Sequence, residues 1–124
     1  ESALVDNYEE AKRVLNDIHD MGIRIALDDF GTGYASMSYL KEFPFDTVKL
    51  DRSFVKDIPQ DEQSLAIINA MLQLSCALKL STVAEGVETE QQMAYLADHG
   101  CVYGQGYLWA RPLSVQALEK LILL

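Results

Sequence analysis

Hydrophobic spacing alternates between helical and extended periods along the whole chain, and short apolar runs never follow one another without a helical stretch between them. That alternation constrains the fold more than any other feature, because strands separated by helices form right-handed β-α-β units with a parallel sheet. Ala11, Val14, Leu15, Ile18 and Met21 share one face of a first helix over residues 8–21, opposite Glu9, Lys12, Asp17 and Asp20. Gly22 follows, where a left-handed C-terminal residue is wanted. Residues 23–27 read as a mostly buried strand that stops at Asp28 and Asp29, before a loop marked by Gly31, Thr32 and Gly33. A short helix over 34–42 ends before Pro44. Residues 47–51 form the next strand, with Val48 and Leu50 on one face and Lys49 and Asp51 on the other.

A long helix over about 60–79 carries Leu65, Ile68, Met71, Leu72, Ser75 and Leu78 as its stripe. The third strand, 81–84, ends at Glu85 and Gly86. Thr89 with Gln92 has the form of a capping box, starting a helix through Met93, Leu96 and Ala97 that Gly100 closes. Residues 101–103 are a short strand leading into Gly104, Gln105, Gly106 and Tyr107. After Arg111 and Pro112, Ser114 caps a last helix through Val115, Leu118, Leu121 and Ile122. Leu65 and Leu118 are expected in the core.

Composition narrows the partners. Ten basic against 19 acidic residues give a net charge of −9 and a pI near 4.5. This argues against a nucleic-acid polymer or an anionic membrane as the main partner. It does not exclude an anionic ligand, because a bound divalent cation reverses the local field. The 49% hydrophobic content with 23% charge excludes a disordered chain. There is no bilayer-length apolar run and no basic-then-apolar leader, so a cytoplasmic segment without membrane contact is expected. The chain opens with Glu1 rather than Met, as a segment of something longer would. Cys76 and Cys101 lack metal-ligand spacing and read as two buried free thiols in a reducing compartment.

The polar residues at the strand ends carry the chemistry. Asp28 with Asp29, Lys49, Glu85 and Gln105 all fall at or beside strand C-termini, where α/β folds place ligand sites. Each alone has a plain structural reading: Asp28 and Asp29 as turn acceptors, Lys49 as an edge charge, Glu85 and Gly104 to Gly106 as loop residues. Their recurrence at one topological position favours a site. Adjacent carboxylates plus a third from another strand suit hard cations such as Mg²⁺ or Mn²⁺. A lysine beside them costs desolvation unless it meets carboxylate or phosphate. Gly31-Thr32-Gly33 is not a phosphate loop, since no Gly-Lys-Ser or Gly-Lys-Thr follows. His19 and His99 lie near helix C-termini, where they complement the helix dipole.

Four segments in order carry a resemblance: Asp28-Asp29-Phe30-Gly31-Thr32-Gly33-Tyr34; Val48-Lys49-Leu50-Asp51-Arg52-Ser53-Phe54; Ala84-Glu85-Gly86-Val87-Glu88-Thr89; and Gln105-Gly106-Tyr107 with Arg111-Pro112-Leu113. Over essentially the whole chain they resemble the C-terminal half of an EAL domain, the bacterial cyclic di-GMP phosphodiesterase family. The resemblance implies a partial (β/α)₈ TIM-like barrel and metal-dependent hydrolysis of cyclic di-GMP to linear pGpG. It assigns Asp28, Asp29 and Glu85 to a two-metal Mg²⁺ or Mn²⁺ site. It assigns Lys49 to the attacking water or the phosphate, and Gln105 and Glu88 to further site positions. Gly31, Thr32 and Gly33 fall in the family's mobile loop, Glu1 matches the glutamate that steadies it, and Arg111 and Pro112 close the series.

The departures carry expectations of their own. The Glu-Ala-Leu signature, a metal-binding asparagine and a metal-binding glutamate are absent, so the fragment is expected to be catalytically crippled. A (β/α)₈ barrel takes about 250 residues, and 124 are present. A parallel half-sheet with two open edges is expected to self-associate as a homo-oligomer or swapped dimer. The alternatives are a non-hydrolysing cyclic di-GMP receptor or interaction module, or another metal-dependent barrel enzyme acting on a phosphate or an enolisable acid.

Overall fold

Four short strands, β1 (Ala26–Phe30), β2 (Thr47–Leu50), β3 (Ser81–Glu85) and β4 (Tyr103–Gln105), form one parallel sheet in the order in which they occur in the chain. The computed structural model describes residues 7–32 and 37–123; the expectations for Glu1 and Gly33 lie outside the described residues. Between and around the strands run α1 (Tyr8–Asp20), α2 (Met37–Glu42), α3 (Arg52–Val55), α4 (Glu62–Ala77), α5 (Glu90–Asp98) and α6 (Val115–Ile122). Strand order that never reverses, with right-handed crossovers, keeps the crossover helices on one face, as in a barrel wall rather than a doubly wound sheet.

The burial pattern follows that geometry. Leu27, Phe30, Val48, Leu50, Thr82 and Ala84 are buried on the helix-covered face. Ile68, Met71, Leu72 and Ser75 of α4 meet them, as the stripe predicts. Lys49 and Glu85 occupy the opposite, half-open face, because side chains alternate along a strand. Tyr8 packs against the rings of Tyr39 and Phe43, tying α1 to α2. The caps are those expected: Thr89 and Gln92 form a complete capping box, and Ser114 caps α6. His19 lies in the last turn of α1, and His99 ends α5 with Nδ1 2.7 Å from the Tyr95 carbonyl oxygen.

Several expectations need correction. The first strand begins three residues later than its apolar run, because pairing with β2 starts at Ala26 opposite Thr47. Ile25 instead donates its N–H to the Asp46 carboxylate at 2.8 Å. Helix α3, a single turn capped by Asp51, has too few residues to show a period. The last strand is shifted two residues downstream, to pair Gly104 with Ala84. Both thiols are free, yet Cys76 is exposed, one position off the buried α4 stripe, and Cys101 is half-buried. Leu65 only flanks the core, and Leu118 is exposed with the rest of the α6 apolar face. Among the described residues no helix is long and apolar enough to cross a membrane.

Candidate metal centre

The site begins with a break in strand alternation. Leu27 pairs with Val48 and Phe30 with Leu50, so β1 spends three steps where β2 spends two. The extra residue is a β-bulge, and Asp29 takes it up with φ at +53°. A left-handed backbone is costly for most side chains but accessible to Asp. In a regular strand Asp28 and Asp29 would face opposite sides. With the bulge, Leu27 and Phe30 both turn inward and the two carboxylates between them are both exposed. Thr32 secures the turn after them, giving its hydroxyl to the Asp29 carbonyl oxygen at 2.7 Å.

β2 contributes Lys49. Its ammonium lies 2.5 Å from a Glu85 carboxylate oxygen and 3.7 Å from an Asp28 oxygen. β3 contributes Glu85 from its last position, one strand over. One oxygen from each of Asp28, Asp29 and Glu85 falls within 4.8 Å of the others. The Glu85 bond holds the Lys49 ammonium above its ordinary pKa, with both carboxylates adding and desolvation opposing. Asp29 is pushed above the usual carboxylate range, chiefly by the charge of Asp28. Repulsion among three carboxylates with one lysine between them is what a divalent cation relieves. The donor set is all oxygen, which suits Mg²⁺, Mn²⁺ or Ca²⁺.

Asp51 is a further acidic neighbour that the sequence gives only as a strand-face residue. Its carboxylate accepts the Ser53 N–H at 2.8 Å, capping α3. The Ser53 hydroxyl and N–H pull its pKa down, and the Asp29 side chain is beside it. The signal available was Asp followed by a short helical turn, but only the tertiary structure sets Asp51 against Asp29.

Gln105 ends β4 opposite Glu85, so it reaches the same rim, and it lines a neighbouring hollow. Arg52, Gly86, Glu88, Gly106 and Tyr107 complete that hollow. Glu88 pairs with Arg52 at 3.4 Å rather than with the carboxylate group. Arg111 stacks over the Tyr107 ring, 4.6 Å from its centroid, and Pro112 beside it is exposed. Gly31, at φ +92°, lies over Phe54 and Met71, where any side chain would crowd both. The structure therefore gathers Asp28, Asp29, Lys49 and Glu85 into one cluster and sets Gln105, Glu88 and Arg111 beside it.

A sequence profile of the EAL domain matches residues 1–112. Cyclic di-GMP phosphodiesterase NbdA of Pseudomonas aeruginosa is 43% identical over 122 residues, 98% of this chain but 16% of NbdA. The chain thus spans about a sixth of the length of that curated relative. The solved EAL domain of Mycobacterium smegmatis DcpA is 40% identical with a TM-score of 0.88, over 94% of this chain and 52% of that one. Klebsiella pneumoniae BlrP1, solved with manganese and cyclic di-GMP, is 33% identical with a TM-score of 0.80, over 88% of this chain and 28% of that one. A parallel sheet wound in one direction, acidic residues at its C-terminal rim and these matches together place the chain in the EAL domain family.

Proposed function

We propose that residues 1–124 are the C-terminal half of an EAL domain whose site binds cyclic di-GMP and hydrolyses one of its phosphodiester bonds to give pGpG. The observation that carries this is the convergence of Asp28, Asp29 and Glu85, with oxygens within 4.8 Å of one another, around Lys49. Asp28, Asp29 and Glu85 would hold two Mg²⁺ or Mn²⁺ ions. Such ions supply counter-charge for the phosphate and lower the pKa of a bound water. BlrP1 carries manganese together with the dinucleotide, which supports that assignment.

The chain's own residues then divide the work. Lys49 presents its ammonium where negative charge builds on the phosphorus-bound oxygens. Glu85 holds that ammonium in place. Water's oxygen bonds to phosphorus as the P–O bond to the ribose 3′ oxygen breaks, and a proton passes to that oxygen. Gln105 and Glu88 line the adjoining hollow and orient the nucleotide, and Arg111 lies over the Tyr107 ring that completes it. Gly31 and Thr32 belong to the loop that follows Asp28 and Asp29. Free thiols and no disulfide among the described residues fit a cytoplasmic setting.

Half the carboxylate shell lowers turnover, so the isolated chain is expected to be nearly inactive. The open edge of β4 and the exposed apolar face of α6 drive self-association through these surfaces. Incubation with cyclic di-GMP and Mn²⁺, followed by chromatography for pGpG, tests the reaction. Trace turnover by this chain, with full turnover by the complete domain, is expected. Binding without pGpG by the complete domain would make it a receptor, and robust turnover by this chain would overturn the half-shell argument. Light scattering on the eluted chain tests association; a monomer at micromolar concentration defeats it.

A further inference from the structure

Gln92 uses every hydrogen-bonding position of its side-chain amide, and it does so at 5% exposure. Its oxygen accepts from the Glu88 N–H at 2.8 Å and the Thr89 N–H at 3.2 Å. Its NH₂ donates to the Val55 carbonyl at 3.2 Å and the Lys56 carbonyl at 3.3 Å. A capping box needs only the Thr89 N–H bond, with the Thr89 hydroxyl accepting the Gln92 N–H at 3.1 Å in return. The second pair reaches 36 and 37 residues back in the chain, to the end of α3. We propose that Gln92 is a positioning residue of the metal centre, fixing the turn that follows Glu85 against the one-turn helix that Asp51 caps.

The surroundings support this. The turn leaves β3 after Glu85; on its β4 side the Val87 N–H donates to the Gln105 carbonyl at 3.1 Å and the Val87 carbonyl accepts the Leu108 N–H at 3.1 Å, which leaves its α3 side to other contacts. Gly86, at φ +73°, lies under the Arg52 stem, with no room for a Cβ. Arg52 and Glu88 close the exposed side of the same join, and an exposed pair of this kind contributes little. Gln92 supplies the buried side, where a satisfied amide is worth most and an unsatisfied one costs most. Asp51, at the other end of α3, is the neighbour of Asp29. One amide thus sets the spacing between carboxylates borne by different strands.

The inference rests on the metal reading, and the test separates the two. Gln92→Glu keeps the acceptor at a helix N-terminus, where a carboxylate is favoured. It turns an oxygen toward the Val55 and Lys56 carbonyls, so the cap survives and the cross-link is lost. Mn²⁺ titration followed by electron paramagnetic resonance should show about a tenfold weaker Kd, the lower end of what supporting residues around metal sites contribute. Hydrogen exchange should quicken at residues 52–56 and 85–89 together. Leu96→Ala, a cavity in the same helix, should lower stability and leave Mn²⁺ affinity at the parental value. If Gln92→Glu does not fold, Gln92→Asn, one methylene too short to span both sides, carries the same expectation. Unchanged Mn²⁺ affinity in the Gln92 variant, or an equal loss in Leu96→Ala, overturns the proposal. Should the parental chain take up no Mn²⁺, the metal reading fails, and the exchange data alone decide whether Gln92 joins turn to helix.

Discussion

Lys49→Met is the most informative single change at this site, because it removes a charge and keeps the aliphatic stem. Lys49 is the ammonium that neutralises Asp28 and Glu85, and a divalent ion would compete with it for the same oxygens. Its nitrogen is 3.7 Å from an Asp28 oxygen, and the Asp28 side chain is 60% exposed, so water-like screening applies. Two unit charges about 4 Å apart then interact by about 1 kcal/mol. A doubly charged ion held at Asp28 meets about 2 kcal/mol of repulsion from Lys49, roughly 30-fold in Kd. Lys49→Met should therefore tighten Mn²⁺ binding by roughly that factor while lowering turnover in the complete domain. Calorimetric titration at low salt reads the affinity, and the gain should shrink as salt is raised.

Without metal the variant should melt below the parent, since three carboxylates lose their cation. Lys49 is held above its ordinary value of 10.5, so its contribution is complete below that pH and is lost as pH rises through the higher folded value. The melting difference should be steady from pH 7 to 9 and disappear in stronger base. A tenfold weaker Mn²⁺ affinity in Lys49→Met would refute the argument, because it would make the lysine an organiser of the carboxylates before anything else.

Three further expectations concern the frame. Gly106→Ala places a Cβ 2.1 Å from the Val87 carbonyl oxygen and 2.4 Å from its nitrogen, both backbone atoms. It should cost about 1–3 kcal/mol by denaturant unfolding, and an unchanged midpoint would contradict that packing. Leu50→Ala empties a fully buried position between sheet and helices. A loss of about 2–5 kcal/mol is expected, and a loss below 1 kcal/mol would mean the site collapses around the cavity. Asp61 caps α4 by accepting the Ser64 N–H at 2.7 Å, which holds its carboxyl below the usual range. Its cap contribution is present above the ordinary value of 3.8 and fades as pH falls through the lower folded value. Asp61→Asn should retain the cap and lose that acid sensitivity in melting curves, whereas Asp61→Ala should lose the cap at every pH.

Much of the frame is legible in the sequence because its causes are local. The α4 stripe, the Thr89 and Gln92 box, the Ser114 cap and the polar ends of the strands depend on residues within a few positions of one another. The bounds of β1 and β4 differ from their apolar runs by three and two residues because pairing sets them, and the partner of Ala26 is Thr47, far along the chain. The α6 stripe is apolar as its spacing predicts, yet it is exposed. Periodicity shows that a face is apolar, whereas burial depends on what packs against it.

The site divides the same way. Adjacent acidic residues at one strand end, a lysine at the next and a glutamate at the third are facts of the sequence, and a parallel order sends them to one rim. That Asp28 and Asp29 share a face is decided by a bulge, which exists only because β1 must stay in register with β2 around Phe30 and Leu50. That Gln92 reaches α3, and that Asp51 meets Asp29, are likewise properties of distant segments brought together. Local spacing determines which groups are available; long-range packing decides which of them touch, because hydrogen bonds and charges act through space over a few ångströms and take no account of separation along the chain.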